Sequence, residues 1–176
     1  MKFDRSVELG EQCHAVIPGA AHTYAKGEDQ YPQGMAPFIV RGDGCHVWDL
    51  DGNEFIEYGM GLRAVTLGHA NRRVVEAAYC QMLKGANFVR PSPIEYECAQ
   101  EFLHCVTGAE MVKFAKNGSD ATSAAVRLSR GHTGRDLVAI CADHPFFSVD
   151  DWFIGTTPMT TGIPKSIREL TVSFRY

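Results

Sequence analysis

One stretch constrains the fold of this chain more than any other. It runs Met111-Val-Lys-Phe-Ala-Lys-Asn-Gly-Ser-Asp-Ala-Thr-Ser-Ala-Ala-Val-Arg-Leu-Ser-Arg-Gly131, followed by Asp136-Leu-Val-Ala-Ile-Cys141. The apolar run 111–115 predicts a strand, and the alanine-rich segment after Gly118 predicts a helix ended by Gly131 and Gly134. Asp136 to Cys141 predicts a second, buried strand. Strand, helix and strand at this spacing predict a parallel crossover unit and an α/β fold. In open α/β sheets the ligand sits beyond the carboxyl ends of the strands. The turn Asn117-Gly118-Ser119-Asp120 and the segment Asp143 to Ser148 both fall at that edge.

The turn has two readings at this point. A helix N-terminus leaves backbone N–H groups free and carries partial positive charge. With Gly118 admitting close approach and Ser119 adding a hydroxyl, the turn is an anion cradle suited to phosphate. Alternatively it is a strand-to-helix turn in which Ser119 or Asp120 caps the helix. Aromatic residues after Cys141 favour a flat, phosphorylated ligand. Neither a G-x-G-x-x-G run nor a Walker lysine is present to favour a nucleotide instead.

Four stretches, in order, extend the match. Ile17-Pro18-Gly19 with Thr23 and Lys26 forms a loop rich in glycine and polar groups. Val47-Trp-Asp-Leu-Asp-Gly-Asn-Glu-Phe-Ile-Glu-Tyr58 is a hairpin sequence of the pattern W-D-x-D-G-N-x-Y-I-D. Leu67-Gly-His-Ala-Asn71 resembles G-H-A-H-P. Phe114 to Gly134 resembles F-x-N-S-G-T-E-A…A-x-R-L-A-R-x-x-T-G-R. Together they resemble the N-terminal part of a class III (subgroup II) pyridoxal-phosphate aminotransferase of the glutamate-1-semialdehyde 2,1-aminomutase kind, from about Pro18 onward.

The resemblance implies a fold-type I PLP-dependent transferase, with a seven-stranded, mostly parallel sheet in the intact large domain. It implies amino-group transfer with pyridoxal 5'-phosphate as cofactor, and a homodimer or a complementing C-terminal chain as the assembly. Gly118 and Ser119 would hold the cofactor phosphate, and Phe146, or its neighbour Phe147, would stack on its ring. Thr23, Lys26 and Arg63 would face the substrate, although Arg63 reads equally well as a surface arginine. Asp120 stands for the family's glutamate and is expected to cap the helix. His69 is expected to be a structural hydrogen-bonding residue. The family's enzymes are more than twice as long, and their Schiff-base lysine and pyridine-pairing aspartate match nothing here. Lys113 and Lys116 read as strand and loop residues. The chain is thus expected to be an N-terminal piece, silent by itself, or a fragment that keeps the fold without activity. Expected domains are an N-terminal segment, 1–68, and the first part of the cofactor-binding domain, 69–176.

Substrate preference is where the pattern departs. The aminomutase loop resembles P-G-G-V-N-S-P-V-R. Here the run is Pro18-Gly-Ala-Ala-His-Thr-Tyr-Ala-Lys26, with Thr23 for the serine and Lys26 for the arginine. Lysine keeps the charge but loses the planar two-pronged grip on a carboxylate. Leu62 stands where the aminomutases carry a tryptophan. These departures point to another keto or aldehyde substrate.

Composition excludes several other classes. With 45% apolar and 22% charged residues, a sizeable core is expected. A net charge of −4 gives no basic footprint for nucleic acid. No apolar run reaches membrane-spanning length and no signal-peptide core opens the chain. The six cysteines lack C-x-x-C spacing, which predicts reduced, buried thiols in a cytoplasmic protein and no zinc site. Elsewhere the pattern predicts a helix over 1–16, a meander from Phe38 to Tyr58, and a helix from Asn71 with an apolar stripe at Val74, Val75, Ala78 and Met82. It also predicts a helix opened by a Ser92-Pro-Ile-Glu95 capping box, with no clear long element from Asp150 to Tyr176.

Overall fold

The computed structural model describes residues 1–143 and 148–176. They form two compact units, Met1–Val89 and Arg90–Tyr176.

In the first unit, α1 (Asp4–His14) docks on a meander of β1 (Ile39–Asp43), β2 (His46–Asp49) and β3 (Glu54–Ile56). The strands pair antiparallel in the order β1-β2-β3, with an irregularity between Ile39 and Arg41. Alternation along β2 turns Val47 and Asp49 inward, leaving them 4% and 2% exposed. A carboxylate so deeply buried must be hydrogen-bonded. Asp49 Oδ1 accepts the amides of Asp51 (3.0 Å) and Asn53 (2.7 Å), and Oδ2 accepts the Asn53 side-chain amide at 2.7 Å. Asp51 in turn caps α1 from a distance. Its carboxylate accepts the Arg5 amide (2.8 Å), the Ser6 amide (2.9 Å) and the Ser6 hydroxyl (2.6 Å). Burial alone would push the Asp51 carboxyl up. The Ser6 hydroxyl, the two amides and the Arg5 charge outweigh that and hold it below its ordinary value.

The loop between α1 and β1 contains three short 3-10 turns, Pro18–Ala20, Tyr24–Lys26 and Glu28–Gln30. After β3 comes a single turn, α2 (Met60–Arg63), whose backbone is left-handed, and then α3 (Arg72–Met82), capped by Asn71 as expected. The apolar stripe of α3 is not covered: Val74, Val75 and Met82 are all exposed.

The second unit opens with α4 (Pro93–Cys105). Its capping box is formed, with Ser92 N–H donating to Glu95 Oε1 at 2.9 Å. It continues with α5 (Gly118–Thr133), β4 (Val138–Cys141), α6 (Asp151–Ile154), α7 (Lys165–Arg168) and β5 (Thr171–Phe174). β4 and β5 pair parallel, Val138 opposite Thr171 through Cys141 opposite Phe174. Phe153 on α6 and Thr171 within β5 are buried.

Several expectations are corrected. Residues 111–115 form no strand, so the parallel partner of β4 is β5 rather than the segment before α5. An apolar run shows that a segment can enter a sheet, but a strand exists only where a neighbour supplies ladder hydrogen bonds. Met111 is 89% exposed, and Phe114 meets Phe102 of α4 edge to face at 5.9 Å. Gly131 lies inside α5, which ends at Gly134 in the left-handed conformation that glycine adopts without strain. The core is small. Among the described residues the buried apolar side chains are Phe3, Val47 and Phe153. The cysteines are free but not buried, with Cys45, Cys80, Cys98 and Cys105 exposed. Composition shows how much apolar surface a chain carries, not whether a facing element covers it.

Candidate functional site

The mouth of α5 is built by Asn117. Its side chain accepts the Asp120 amide at 2.9 Å, and its own amide donates to Asp120 Oδ2 at 3.0 Å. The reciprocal cap leaves Asn117, not Ser119 or Asp120, as the helix N-cap, with Asp120 answering from the first turn. The N-x-x-D spacing was the available signal. Because Asn117 satisfies Asp120 N–H with its side chain and Ala121 N–H with its carbonyl (3.1 Å), the free donors lie nearer the helix start. Among the described residues, Gly118 and Ser119 N–H donate to no backbone acceptor.

The same mouth supplies a test of whether a phosphorylated cofactor fits. Among the described residues, a Cβ built on Gly118 would meet nothing within 4 Å, and the Gly118 backbone is not in the left-handed region. The glycine is therefore not required for packing or for an unusual φ. It leaves open space where two unsatisfied N–H groups and the positive end of a 16-residue helix converge. Ser119 adds a half-buried hydroxyl, whose oxygen accepts Val149 N–H at 3.3 Å and whose hydrogen can still donate. These residues fit a phosphate dianion. Below them, Thr122 Oγ1 bonds back to the Gly118 and Ser119 carbonyls, both at 3.0 Å. Phe146 and Phe147 lie outside the described residues.

The proposed substrate-facing residues belong to the first unit. Thr23 and Lys26 bracket one 3-10 turn, with Lys26 N–H donating to the Thr23 carbonyl at 2.9 Å. Both side chains are exposed, and Thr23 lines a cavity of about 320 Å³ with His14, Gly19, Tyr24 and Glu28. His14 Nε2 pairs with Glu28 Oε1 at 2.9 Å across its rim. Arg63 is exposed and ends the left-handed turn, in which Met60, Gly61, Leu62 and Arg63 all have positive φ. Left-handed backbone is costly for residues with a Cβ and persists only where surroundings hold it. Here Glu57 does so, accepting Gly61 N–H at 3.2 Å and pairing through the same carboxylate oxygen with His69 Nε2. His69 is pinned in turn by paired backbone bonds to Gly44 (2.8 and 3.0 Å). Its ring packs on Gly42, where any Cβ would come within 2.6 Å of it. Glu57 was not singled out from sequence, since nothing local marks its two partners.

Among the described residues no group of three or more histidine, cysteine, aspartate or glutamate side chains could hold a metal. No helix among them is long and apolar enough to cross a membrane.

Known proteins match this chain along its length. The family model "Aminotransferase class-III" matches residues 24–159. A glutamate-1-semialdehyde 2,1-aminomutase of Persephonella marina is 33% identical over 185 residues, covering 100% of this chain and 43% of the relative. A glutamate-1-semialdehyde 2,1-aminomutase 2 of Bacillus mycoides is 38% identical over 138 residues, covering 78% of this chain and 32% of the relative. Among solved structures, the PLP internal aldimine form of the Sphingopyxis sp. MTA144 FumI protein superposes with a TM-score of 0.88 at 33% identity, over 98% of this chain and 41% of that one. A transaminase with PLP bound superposes with a TM-score of 0.89 at 26% identity, over 100% and 42%. The chain thus spans less than half the length of these relatives and corresponds to their N-terminal portion. With the family model covering most of the sequence and full-length superposition on PLP-dependent transaminases, the chain belongs to the class-III aminotransferases and has the fold-type I architecture over the portion it spans.

Proposed function

We propose that this chain supplies the cofactor-phosphate cup and the substrate loops of a PLP-dependent enzyme that transfers amino groups between small molecules. The observation that carries this reading is the mouth of α5. Gly118 and Ser119 present free N–H groups and a hydroxyl to open space at the positive end of a long helix. Gly118 and Ser119 would hold the phosphate, and Phe146, which lies outside the described residues, would be the ring-covering residue that the resemblance implies. Thr23 and Lys26 on one loop, and Arg63 on the left-handed turn, face the substrate. When bound, the cofactor supplies an electron sink, while the protein supplies orientation and electrostatics. The residues of this chain bind and orient; the lysine that holds the cofactor covalently is not among them.

The working enzyme is cytoplasmic and a homodimer, or is completed by a C-terminal chain, and residues 1–68 and 69–176 are its N-terminal segment and the first part of its large domain. Without that remainder the exposed apolar faces of α3 and α4 favour association, and the chain is silent by itself. The substrate is a keto or aldehyde compound other than glutamate-1-semialdehyde, because Thr23, Lys26 and Leu62 replace three pocket residues of the aminomutase pattern.

The test joins this chain to its natural C-terminal remainder. Borohydride in the presence of pyridoxal 5'-phosphate should trap the cofactor on a lysine outside residues 1–176. Mapping the adduct to Lys113 or Lys116 would overturn the assignment. Assays on glutamate-1-semialdehyde beside a panel of amino donors and carbonyl acceptors then decide the substrate. Efficient formation of 5-aminolevulinate would show the three replacements to be neutral.

A further inference from the structure

Beside the cup, a polar cluster of the second unit ties the first two turns of α5 to residues 148–152. Ser123, one turn after Ser119 and on the same helix face, pairs through its hydroxyl with Asp150 Oδ2 and accepts Trp152 Nε1–H at 2.9 Å. Ser148 is fully buried. Its hydroxyl donates to Asp150 Oδ2 at 3.3 Å and accepts the Asp150 amide at 3.2 Å. Thr171 on β5 holds the far side, donating to the Trp152 carbonyl at 2.9 Å. Between the two anchored residues Ser148 and Asp150 lies Val149, whose N–H points at Ser119 Oγ, 3.3 Å away.

This geometry matters to the hydroxyl of Ser119. Inside a helix a serine or threonine hydroxyl can turn its hydrogen back to a carbonyl three or four residues earlier, and Thr122 and Thr133 of α5 do so, whereas Ser119 in the first turn has no helical carbonyl behind it. Ser119 donates to no acceptor among the described residues. Val149 N–H occupies one of its lone pairs, so the hydrogen is directed away from Val149. We propose that Ser123 and Asp150 are positioning residues: they lock Val149 N–H against Ser119 Oγ and so aim the Ser119 hydroxyl at a phosphate bound in the α5 mouth. This rests on the reading of that mouth as a phosphate site.

Charge makes the effect separable. Asp150 is an anion near an anion site, so removing it should by itself favour a bound dianion. Weaker binding by a folded variant on its removal then reports lost orientation rather than lost charge attraction.

The experiment measures affinity for pyridoxal 5'-phosphate, with phosphate-free pyridoxal as reference, in the full-length protein and in this chain. Ser123→Ala and Asp150→Ala should each weaken the phosphate-dependent part of binding by about three- to tenfold, the range for one mis-aimed hydrogen bond. Neither should weaken it further once Ser119→Ala is present, and Ser123→Thr, which keeps the hydroxyl, should restore it. Inorganic phosphate should also shift the Trp152 indole N–H resonance in the wild-type protein and leave it unmoved in Ser123→Ala. Equal losses with and without Ser119, or no loss, would overturn the inference. If Ser119→Ala weakens binding and the Asp150 and Ser123 variants do not, only this inference fails. If the wild-type protein shows no preference for the phosphorylated ligand, the phosphate reading fails with it. Should Asp150→Ala fail to fold, the Ser123 pair and the wild-type resonance shift still decide.

Discussion

Replacing Gly118 by alanine should move stability and ligand affinity in opposite directions. Gly118 is the first residue of α5, its φ lies outside the left-handed region, and among the described residues an added methyl would meet nothing within 4 Å. The fold therefore has no use for a glycine here. Alanine restricts the unfolded chain and suits a helix, which should stabilise the protein by up to about 0.5–1 kcal/mol. The open space at that Cβ is, however, where a phosphate would approach the Gly118 and Ser119 amides. Losing one hydrogen bond to a dianion costs about 1.5–3 kcal/mol, or roughly ten- to a hundredfold in affinity. Thermal unfolding and calorimetric titration with pyridoxal 5'-phosphate, with phosphate-free pyridoxal as control, measure both on one sample. A variant that melts slightly higher and binds the phosphorylated ligand at least tenfold more weakly is the expected result. Unchanged selectivity for the phosphate would refute the reasoning, because it would mean that nothing bound approaches the space Gly118 keeps open. A fall in melting temperature would show instead that the glycine serves the fold.

Four further outcomes are expected. Asn117→Ala removes the N-cap of α5 and should destabilise the helix by about 1 kcal/mol, read by circular dichroism during denaturation. Phe153→Ala, at one of the few buried apolar positions, should cost about 3–5 kcal/mol, read by chemical unfolding of the second unit. Asp51 has a depressed carboxyl, so its contribution is fully present above the ordinary carboxylate range and lost as pH falls through its lower folded value. Acid titration followed by amide exchange should show α1 releasing in that window, and Asp51→Asn should abolish the dependence. His69→Gln removes the ring that shares Glu57 with the Gly61 amide, so limited trypsin digestion should cleave after Arg63 faster than in the parent chain.

Much of the local structure was legible because its causes are local. Asn71 and the Ser92–Glu95 box start helices through contacts within one turn, and Gly134 ends one by its own backbone freedom. The Asp-Gly-Asn turn and the alternation around Val47 specify the meander for the same reason. Gly118 and Ser119 could be placed at a helix start because the glycine turn and the alanine-rich run that follows it are written in consecutive residues. What sequence left open required neighbours distant along the chain. Whether 111–115 is a strand depends on a partner, and the parallel mate of β4 arrives only at Thr171–Phe174, in a region that showed no clear long element. The choice of Asn117 over Ser119 or Asp120 as cap depended on side-chain geometry that several hydroxyl and carboxyl groups could equally have offered. Glu57 with His69, and Asp150 with Ser123, join residues 12 and 27 positions apart, which no periodicity connects. Burial of the apolar stripes also lay beyond sequence: hydrophobicity creates the drive to be covered, but only a facing surface in the folded molecule covers it.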